Sequence, residues 1–263
     1  MKAHEVDFKL FGDDMQFVEI ELDPQESVLA EAGTMMYMEQ NIQMETIFGD
    51  GSGEGSGGLM GKLLGAGKRL VTGESLFMTV FTNGGHGKSK VAFAAPYPGK
   101  IIPIDLRDVG GKLVCQKDAF LCAAKGVSIG IEFQRKIGVG LFGREGFIMQ
   151  KLEGDGLVFV HAGGTIIEKE LTRGETLRID TGCIVAYTKT VDFDVQMVGG
   201  VKSALFGGEG LFFATITGPG KVWLQSLPFS RLADRIGREA MTSGSGKGEG
   251  SVLGGLGDLL GGR

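Results

Sequence analysis

An internal repeat constrains the fold of this chain more than any other feature of its sequence. The segment "LFGREG" at Leu141–Gly146 returns as "LFGGEG" at Leu205–Gly210. When the sequence is shifted by 64 residues, 113–160 lies over 177–224 without a gap, with 11 identities in 48 positions. Turn glycines coincide with turn glycines, and apolar residues coincide with apolar residues. The match indicates two copies of one structural unit.

A third copy is predicted upstream, enlarged by insertions. The segment "SVLAEAGTMMYM" resembles "AFLCAAKGVSIGI", which places Leu29 on Leu121. Further along, "GESLFMTVF" resembles "GREGFIMQKL", which places Glu74 on Glu145, and Val91 falls on Val158. Inserted residues, including "GDGSGEGSGG", account for the changing offset. The chain therefore reads as three versions of one unit.

The periodicity of the repeated unit predicts β-strands. The runs "LRIDTGCIVAYTKTVDFDVQMV" and "FIMQKLEGDGLVFVHAGG" alternate apolar with polar residues and break at glycines. We expect the turns at 154–156 and 218–220 to join hairpins, because glycine accepts the positive φ of tight turns. Glycine is abundant, 47 of 263 residues, which favours many turns and short strands. Units that cannot each bury a sheet face alone should pack together, about a pseudo-threefold axis.

One helix and a tail complete the predicted organisation. Leu232, Ile236 and Ala240 fall at four-residue spacing, which predicts a helix over about Phe229–Met241. The Gly/Ser/Leu-rich end is typical of a flexible segment. The first predicted module, 1–108, contains an N-terminal hairpin and the inserted Gly-rich loop. The second module is 109–172, the third module with the helix is 173–241, and the flexible tail is 242–263.

These residues resemble a known family. The segments "AEAGTMMYM", "GKLLGAGKRLVTGESLFMTVF", "AFAAPYPGKIIPIDL", "FLCAAKGVSIGI" and "GEGLFFATITGPGKVWLQSLPFSRLADRI" are similar to the family named for altered inheritance of mitochondria, over about Gln16–Ile236. The resemblance implies an all-β fold of three TRAP-like modules, which are short double-stranded β-helix units like those of the tryptophan RNA-binding attenuation protein. It also implies pseudo-threefold symmetry, and a membrane-organising role for mitochondrial members. It supplies no catalytic residue and no established activity for prokaryotic-type members.

The charge of the chain argues against nucleic acid as a partner. Lys and Arg number 27 against 32 Asp and Glu, so the net charge is −5. Phosphate binding requires clustered cations, whereas these are dispersed. RNA binding by analogy with the TRAP fold is therefore a disfavoured alternative, because a fold alone does not carry a function.

Cysteine usage and the N-terminal sequence predict the cell compartment. Cys115, Cys122 and Cys183 form no CxxC pair and leave an odd number, which favours a reducing compartment. The start "MKAHEVDFKLFGDD" has neither the apolar core of a signal peptide nor the Arg/Ser-rich composition of a transit peptide. We expect a cytoplasmic protein, either free or attached peripherally to a membrane.

Motifs for catalysis, cofactors and metals are not apparent in the sequence. His4, His86 and His161 are isolated, whereas a metal site on a double-stranded β-helix needs two or three His with a carboxylate. The loop "GDGSGEGSGG" lacks the GxxxxGK[ST] pattern of a phosphate-binding loop and carries two acids. We therefore expect no enzyme activity and no cofactor. A small-ligand or metal-binding β-helix protein remains the main alternative.

Three segments that mix basic, apolar and glycine residues precede the Glu-Gly motifs. They span 58–73, 133–143 and 198–207, at the same place in each copy. Gathered at one pole, they would suit an anionic membrane surface or a protein partner; buried strands between modules are the alternative interpretation. The predicted surface comprises Leu59, Met60, Lys62, Leu63, Leu64, Lys68, Arg69, Arg135, Lys136, Ile137 and Lys202.

The repeat also predicts three equivalent acids, Glu74, Glu145 and Glu209. Converging on a symmetry axis, they could hold a cation. Repeated acids at turns more often bind backbone N–H groups, so we expect the three carboxylates to lie apart.

The sequence thus predicts a non-enzymatic scaffold or assembly protein that self-associates and docks to a membrane surface or a protein partner.

Overall fold

The computed structural model describes residues 3–48, 77–135, 147–197 and 212–243. The described residues form 19 strands, three short 3₁₀ helices and one α-helix. The strands are β1 Asp7–Phe11, β2 Phe17–Leu22, β3 Ser27–Glu31, β4 Met35–Met38, β5 Ile42–Phe48, β6 Phe77–Asn83, β7 Ser89–Ala94, β8 Gly99–Asp105, β9 Lys112–Gln116, β10 Phe120–Ala124, β11 Ser128–Arg135, β12 Phe147–Glu153, β13 Leu157–Gly163, β14 Ile166–Leu171, β15 Thr176–Asp180, β16 Ile184–Thr188, β17 Asp192–Met197, β18 Phe212–Thr217 and β19 Gly220–Gln225. The 3₁₀ helices are Leu106–Val109, Lys117–Ala119 and Thr181–Cys183, and the α-helix, α1, is Phe229–Ser243. The predicted all-β class is confirmed.

Four sheets contain these strands. Sheet 1 has the order β1-β2-β7-β4, and sheet 2 has the order β5-β6-β3-β10-β13-β8. Sheet 3 has the order β11-β12-β9-β16-β19-β14, and sheet 4 has the order β15-β18-β17. Every pairing between these strands is antiparallel.

The pairing pattern recurs three times along the chain. The sets β2–β7, β8–β13 and β14–β19 each contain six consecutive strands. In each set the sixth strand pairs with the first and third, and the fifth pairs with the second and fourth. Strands of the second and third sets correspond at the 64-residue offset of the repeat. The pseudo-threefold axis and the likeness to TRAP modules remain predictions.

Successive sets are joined by one kind of contact. The second strand of a set pairs with the third strand of the next set: β3 pairs with β10, and β9 pairs with β16. We call these pairings the first and second junctions. Each creates a six-stranded sheet from two three-stranded halves.

Two predictions about the strands are wrong. The turns at 154–156 and 218–220 do not close hairpins, because β12 and β13 belong to different sheets, as do β18 and β19. A sharp turn at these places carries the chain from one sheet to another. Leu29 does not correspond to Leu121, because β3 pairs like β9 rather than like β10. Met36 of β4 occupies the position of Leu121, whereas Val91 and Val158 do correspond.

Three apolar clusters form the core. The largest contains residues from all three sets, including Leu29, Leu113, Val158 and Trp223. A second cluster is built mostly on β2, β3, β7 and β10, and a third mostly on β12 and β16–β19. Both sides of sheets 2 and 3 are therefore covered near the junctions, which explains why β10 and β16 are buried along their whole length rather than at alternate residues.

The helix α1 is confirmed at the predicted place, and it extends two residues beyond Met241. A boundary after Pro228 separates the strands from the unit that begins with this helix. Phe229 and Ile236 of the helix are exposed.

Candidate interaction surface

Most of the predicted surface and all three repeat-equivalent glutamates lie outside the described residues. Within the described part, Arg135 is the last residue of β11. The three connections outside the described residues, 49–76, 136–146 and 198–211, each join two paired strands: β5 to β6, β11 to β12, and β17 to β18. The basic and apolar segments therefore belong to equivalent connections of the three sets. That the carboxylates of Glu74, Glu145 and Glu209 lie apart from one another remains a prediction.

A different surface stands out in the described part of the chain, at the edge of sheet 1. Within that part, β4 pairs only with β7, so its outer backbone edge carries no neighbouring strand. Its four residues are large and exposed: Met35 at 37%, Met36 at 55%, Tyr37 at 38% and Met38 at 39%. An exposed apolar edge is a site where another strand can add.

The exposure of β4 contrasts with that of its two counterparts. β10 and β16 hold the same position in their sets, and all their residues are buried. All three strands share a register shift after the first paired residue, at Met35, Phe120 and Ile184. β4 thus keeps the register shift of its counterparts and differs from them in having one neighbour, instead of two, among the described strands.

Strand β15 is the second edge of this kind. Its counterparts β3 and β9 are mostly buried and pair on both sides, whereas β15 pairs only with β18 among the described strands. Thr176 and Arg178 are exposed, and Ile179 is the one residue of this strand that is buried. We call β4 and β15 the open edges.

A polar contact fastens β4 to the rest of sheet 1. The hydroxyl of Tyr37 donates a hydrogen bond to Glu19, which also accepts one from Lys90 Nζ at 2.9 Å. This hydrogen bond raises the pKa of Tyr37 to about 12 and lowers the pKa of the Glu19 carboxyl. A Glu39 oxygen accepts a hydrogen bond from the Lys90 backbone at 3.0 Å. The open edge is therefore held as a defined strand.

One acid at the first junction is strongly perturbed. Glu31 ends β3, and its burial raises the pKa of the carboxyl to about 7, with the charge of Asp118 adding to the shift and Lys117 opposing it. The corresponding residue of β9 is Gln116, which is 9% exposed, and that of β15 is Asp180. Amide and carboxyl side chains thus share this position.

His161 is a neutral core residue. It is 1% exposed and lies edge-on to Tyr97, with 4.4 Å between ring centroids. Burial lowers its pKa to about 4, with the Tyr97 backbone opposing the shift. His4 accepts a hydrogen bond from the Ser27 backbone at its Nδ1, 2.9 Å away. No group of three or more His, Cys, Asp or Glu within the described ranges could hold a metal ion.

A groove of about 420 Å³ lies beside the N-terminal residues. His4, Glu5, Arg107 and Asp155 contribute to its lining. Its size suits a small molecule, but ligand pockets are mostly apolar with few polar groups. Asp155 also accepts a hydrogen bond from the Ala3 backbone at 2.7 Å, so its carboxylate is already engaged.

In the part of the chain that the structure describes, no helix is both long and apolar enough to cross a membrane.

The fold defines an all-β protein built from three similarly paired sets of strands, with two open edges. The chain belongs to the family described as Mitochondrial biogenesis AIM24, whose model matches residues 8–227. This confirms the family resemblance found in the sequence.

Two relatives from Streptococcus pyogenes illustrate the similarity. An uncharacterized protein of serotype M6 is 35% identical over 234 residues, covering 87% of this chain and 89% of the relative. An X-ray crystal structure of a second protein from this organism is similar at a TM-score of 0.71 and 27% identity, covering 89% of this chain and all of the other.

Sequence reasoning missed both open edges. The signal for β4 was the run "MMYM", which is apolar like a buried strand but carries larger side chains than "FLCAA" at the same position. This signal was obscured because the sequence comparison placed β3, instead of β4, on β10.

Proposed function

We propose that this protein is a non-enzymatic scaffold that assembles with copies of itself. The observation that carries the proposal is the open edge β4, which pairs with only one of the described strands and is exposed, whereas its two counterparts each pair with two strands and are buried. Lys, Pro and inward-facing charges, which commonly protect edge strands, are missing from its four residues. Methionine adapts well to an interface, because its side chain is flexible and polarizable.

Analytical ultracentrifugation over a concentration series tests the proposal. We expect a species heavier than the 27.8 kDa chain that dissociates on dilution. Met36→Lys should raise the apparent dissociation constant by about tenfold or more, since burying an uncompensated charge costs at least about 1.4 kcal/mol.

Met44→Lys is the matched control. Met44 is 56% exposed, close to the 55% of Met36, but it lies on β5, whose counterparts also end their sheets. We expect its mass distribution to equal that of the wild-type chain. A wild-type chain of monomer mass at every concentration would refute the scaffold proposal, and equal effects of the two lysines would exclude β4 as the surface.

Docking to an anionic membrane or a protein partner is a further part of this proposal. Its support is the equivalent position of the three basic and apolar segments in the strand order. A cytoplasmic location with peripheral attachment belongs to the same proposal.

A further inference from the structure

The strand orders of the four sheets point to what covers the open edges. Sheets 2 and 3 each combine the second, fifth and fourth strands of one set with the third, sixth and first strands of the next. Sheet 4, with the order β15-β18-β17, is a half of the first kind. Sheet 1 is a half of the second kind, with β1 added at its far side. Sheet 4 and the β2-β7-β4 part of sheet 1 are thus two halves that are not joined to each other, and each ends at an open edge.

We propose that β15 of one chain pairs with β4 of a second copy, and that this contact completes a third sheet of the same design. The inference rests on the proposed scaffold function and specifies its contact. In the described part of the chain, sheets 1 and 4 remain separate, and β4 does not pair with β15 of the same molecule.

The two existing junctions determine the register of this contact. In the first, Ala30 lies opposite Cys122 and Leu29 opposite Ala123. In the second, Cys115 lies opposite Ala186 and Val114 opposite Tyr187. The shared register gives one solution for the open edges, which is antiparallel: Ile179 opposite Tyr37, Arg178 opposite Met38 and Leu177 opposite Glu39.

The side chains of β15 suit an edge that must also tolerate water. Arg178 occupies the place of Leu29 and Val114, which are buried in the existing junctions. A charged residue keeps a free edge soluble and makes its pairing weaker than that of an apolar strand. Its aliphatic stem can still lie along Met38 while the guanidinium remains in water. The contact is therefore reversible, whereas the internal junctions are part of the folded core.

This contact joins two different strands, so it is heterologous. Each chain that offers β15 to one neighbour keeps β4 for another. Such contacts generate a closed ring or an open filament, according to the rotation between neighbours. A closed dimer would require β4 and β15 of one chain to pair at the same time with β15 and β4 of the same partner.

Disulfide trapping between singly substituted full-length chains tests the register. Chains carrying Met38→Cys are mixed with chains carrying Arg178→Cys and oxidised, and covalent dimers are measured on non-reducing gels. Directly opposed residues place their Cβ atoms about 4.5–5.5 Å apart, against about 7–8 Å for a residue two positions away. We expect at least tenfold more dimer than with the matched control Thr176→Cys, which is exposed on the same strand.

Two further samples remove other sources of dimer. The unsubstituted chain measures dimers formed through Cys183, which is half-buried, while Cys115 and Cys122 are buried. Each variant must first show the wild-type mass distribution. Hydrogen exchange gives an independent measurement: assembly should protect the amides of both β4 and β15, and leave those of β5 unchanged.

Each other outcome overturns the inference. A bridge that forms only inside a chain carrying both cysteines means that the edges meet within one molecule. Dimers of Met38→Cys with itself mean that β4 pairs with β4. Self-association without a bridge in any sample, and without protection of β15, leaves the scaffold function intact but assigns β4 another partner. A chain that never associates removes the scaffold function as well.

Discussion

Strands β10 and β4 occupy the same position in two sets of strands and have opposite environments. Both pair with the last strand of their own set, and both contain the same register shift. β10 also pairs with β3 and is completely buried, whereas β4 has no second neighbour among the described strands and is exposed along its length. One backbone design thus serves both as a core strand and as an edge.

Side-chain size follows this difference. β10 carries Cys122, Ala123 and Ala124, which are small enough to lie between two strands and two apolar clusters. β4 carries three methionines and a tyrosine, which have room because one side is open. Neighbouring strands, more than local strand preference, therefore select the residues at this position.

The largest test of this comparison removes equivalent side chains from the two strands. Leu121→Ala, at a fully buried position, should lower the free energy of unfolding by about 2–5 kcal/mol, because it loses apolar burial and leaves a cavity. Met36→Ala, at 55% exposure, should change it by less than about 0.5 kcal/mol. Urea unfolding of dilute, monomeric protein measures both. Equal losses would mean that β4 is covered within the monomer.

A second test exchanges the acid of the first junction for the residue that the second junction carries. Glu31→Gln should stabilise the fold at pH 8, by up to about 3 kcal/mol, and have little effect at pH 4. Because the pKa of Glu31 is raised from 4.5 to about 7, the folded chain retains a proton between these pH values that the unfolded chain has released. Stability from this group is complete below about pH 4.5 and is lost as the pH rises to 7.

Urea unfolding between pH 4 and pH 8 checks this expectation. The same substitution at the exposed Glu5 is the control and should change the free energy of unfolding by less than about 0.5 kcal/mol, as is usual for surface positions. A flat difference between Glu31→Gln and the wild type across this range would contradict the burial of a protonated carboxyl at the junction.

The smallest expected effect concerns the contact that holds β4 in place. Tyr37→Phe removes the hydroxyl that donates to Glu19. Because Tyr37 is exposed and Glu19 is only half-buried, water can replace part of the lost hydrogen bond, and we expect a loss below about 1 kcal/mol in the free energy of unfolding. The loss should be measured on dilute protein. A cost above 2 kcal/mol would show that the hydroxyl is shielded from water, and that β4 is a less open edge than its methionines indicate.

The sequence was sufficient to predict elements whose signal is local. Alternating apolar residues and frequent glycines predicted short strands, and the spacing of Leu232 and Ile236 predicted α1. The gapless match between the second and third copies predicted which strands correspond. These features depend on neighbours within a few residues, or on direct comparison of two segments of equal length.

Features that depend on distant pairing could not be predicted in the same way. The glycine turn at 154–156 resembles a hairpin turn locally, but the strands on either side bond to other partners. Leu29 and Leu121 both lie in apolar strands, and periodicity does not distinguish the second strand of a set from the third. The open edges were missed for the same reason, since "MMYM" is exposed where the described strands include no second neighbour for β4.

Each of the two internal junctions contains one buried cysteine, whose reactivity reports whether that junction is closed. Cys122 lies opposite Ala30 in the first junction, and Cys115 lies opposite Ala186 in the second. Burial raises the pKa of both thiols, which keeps them protonated and unreactive in the closed protein. Alkylation of one thiol before the other therefore records which pair of strand sets separates first. The native chain carries its own probes for the order in which it comes apart.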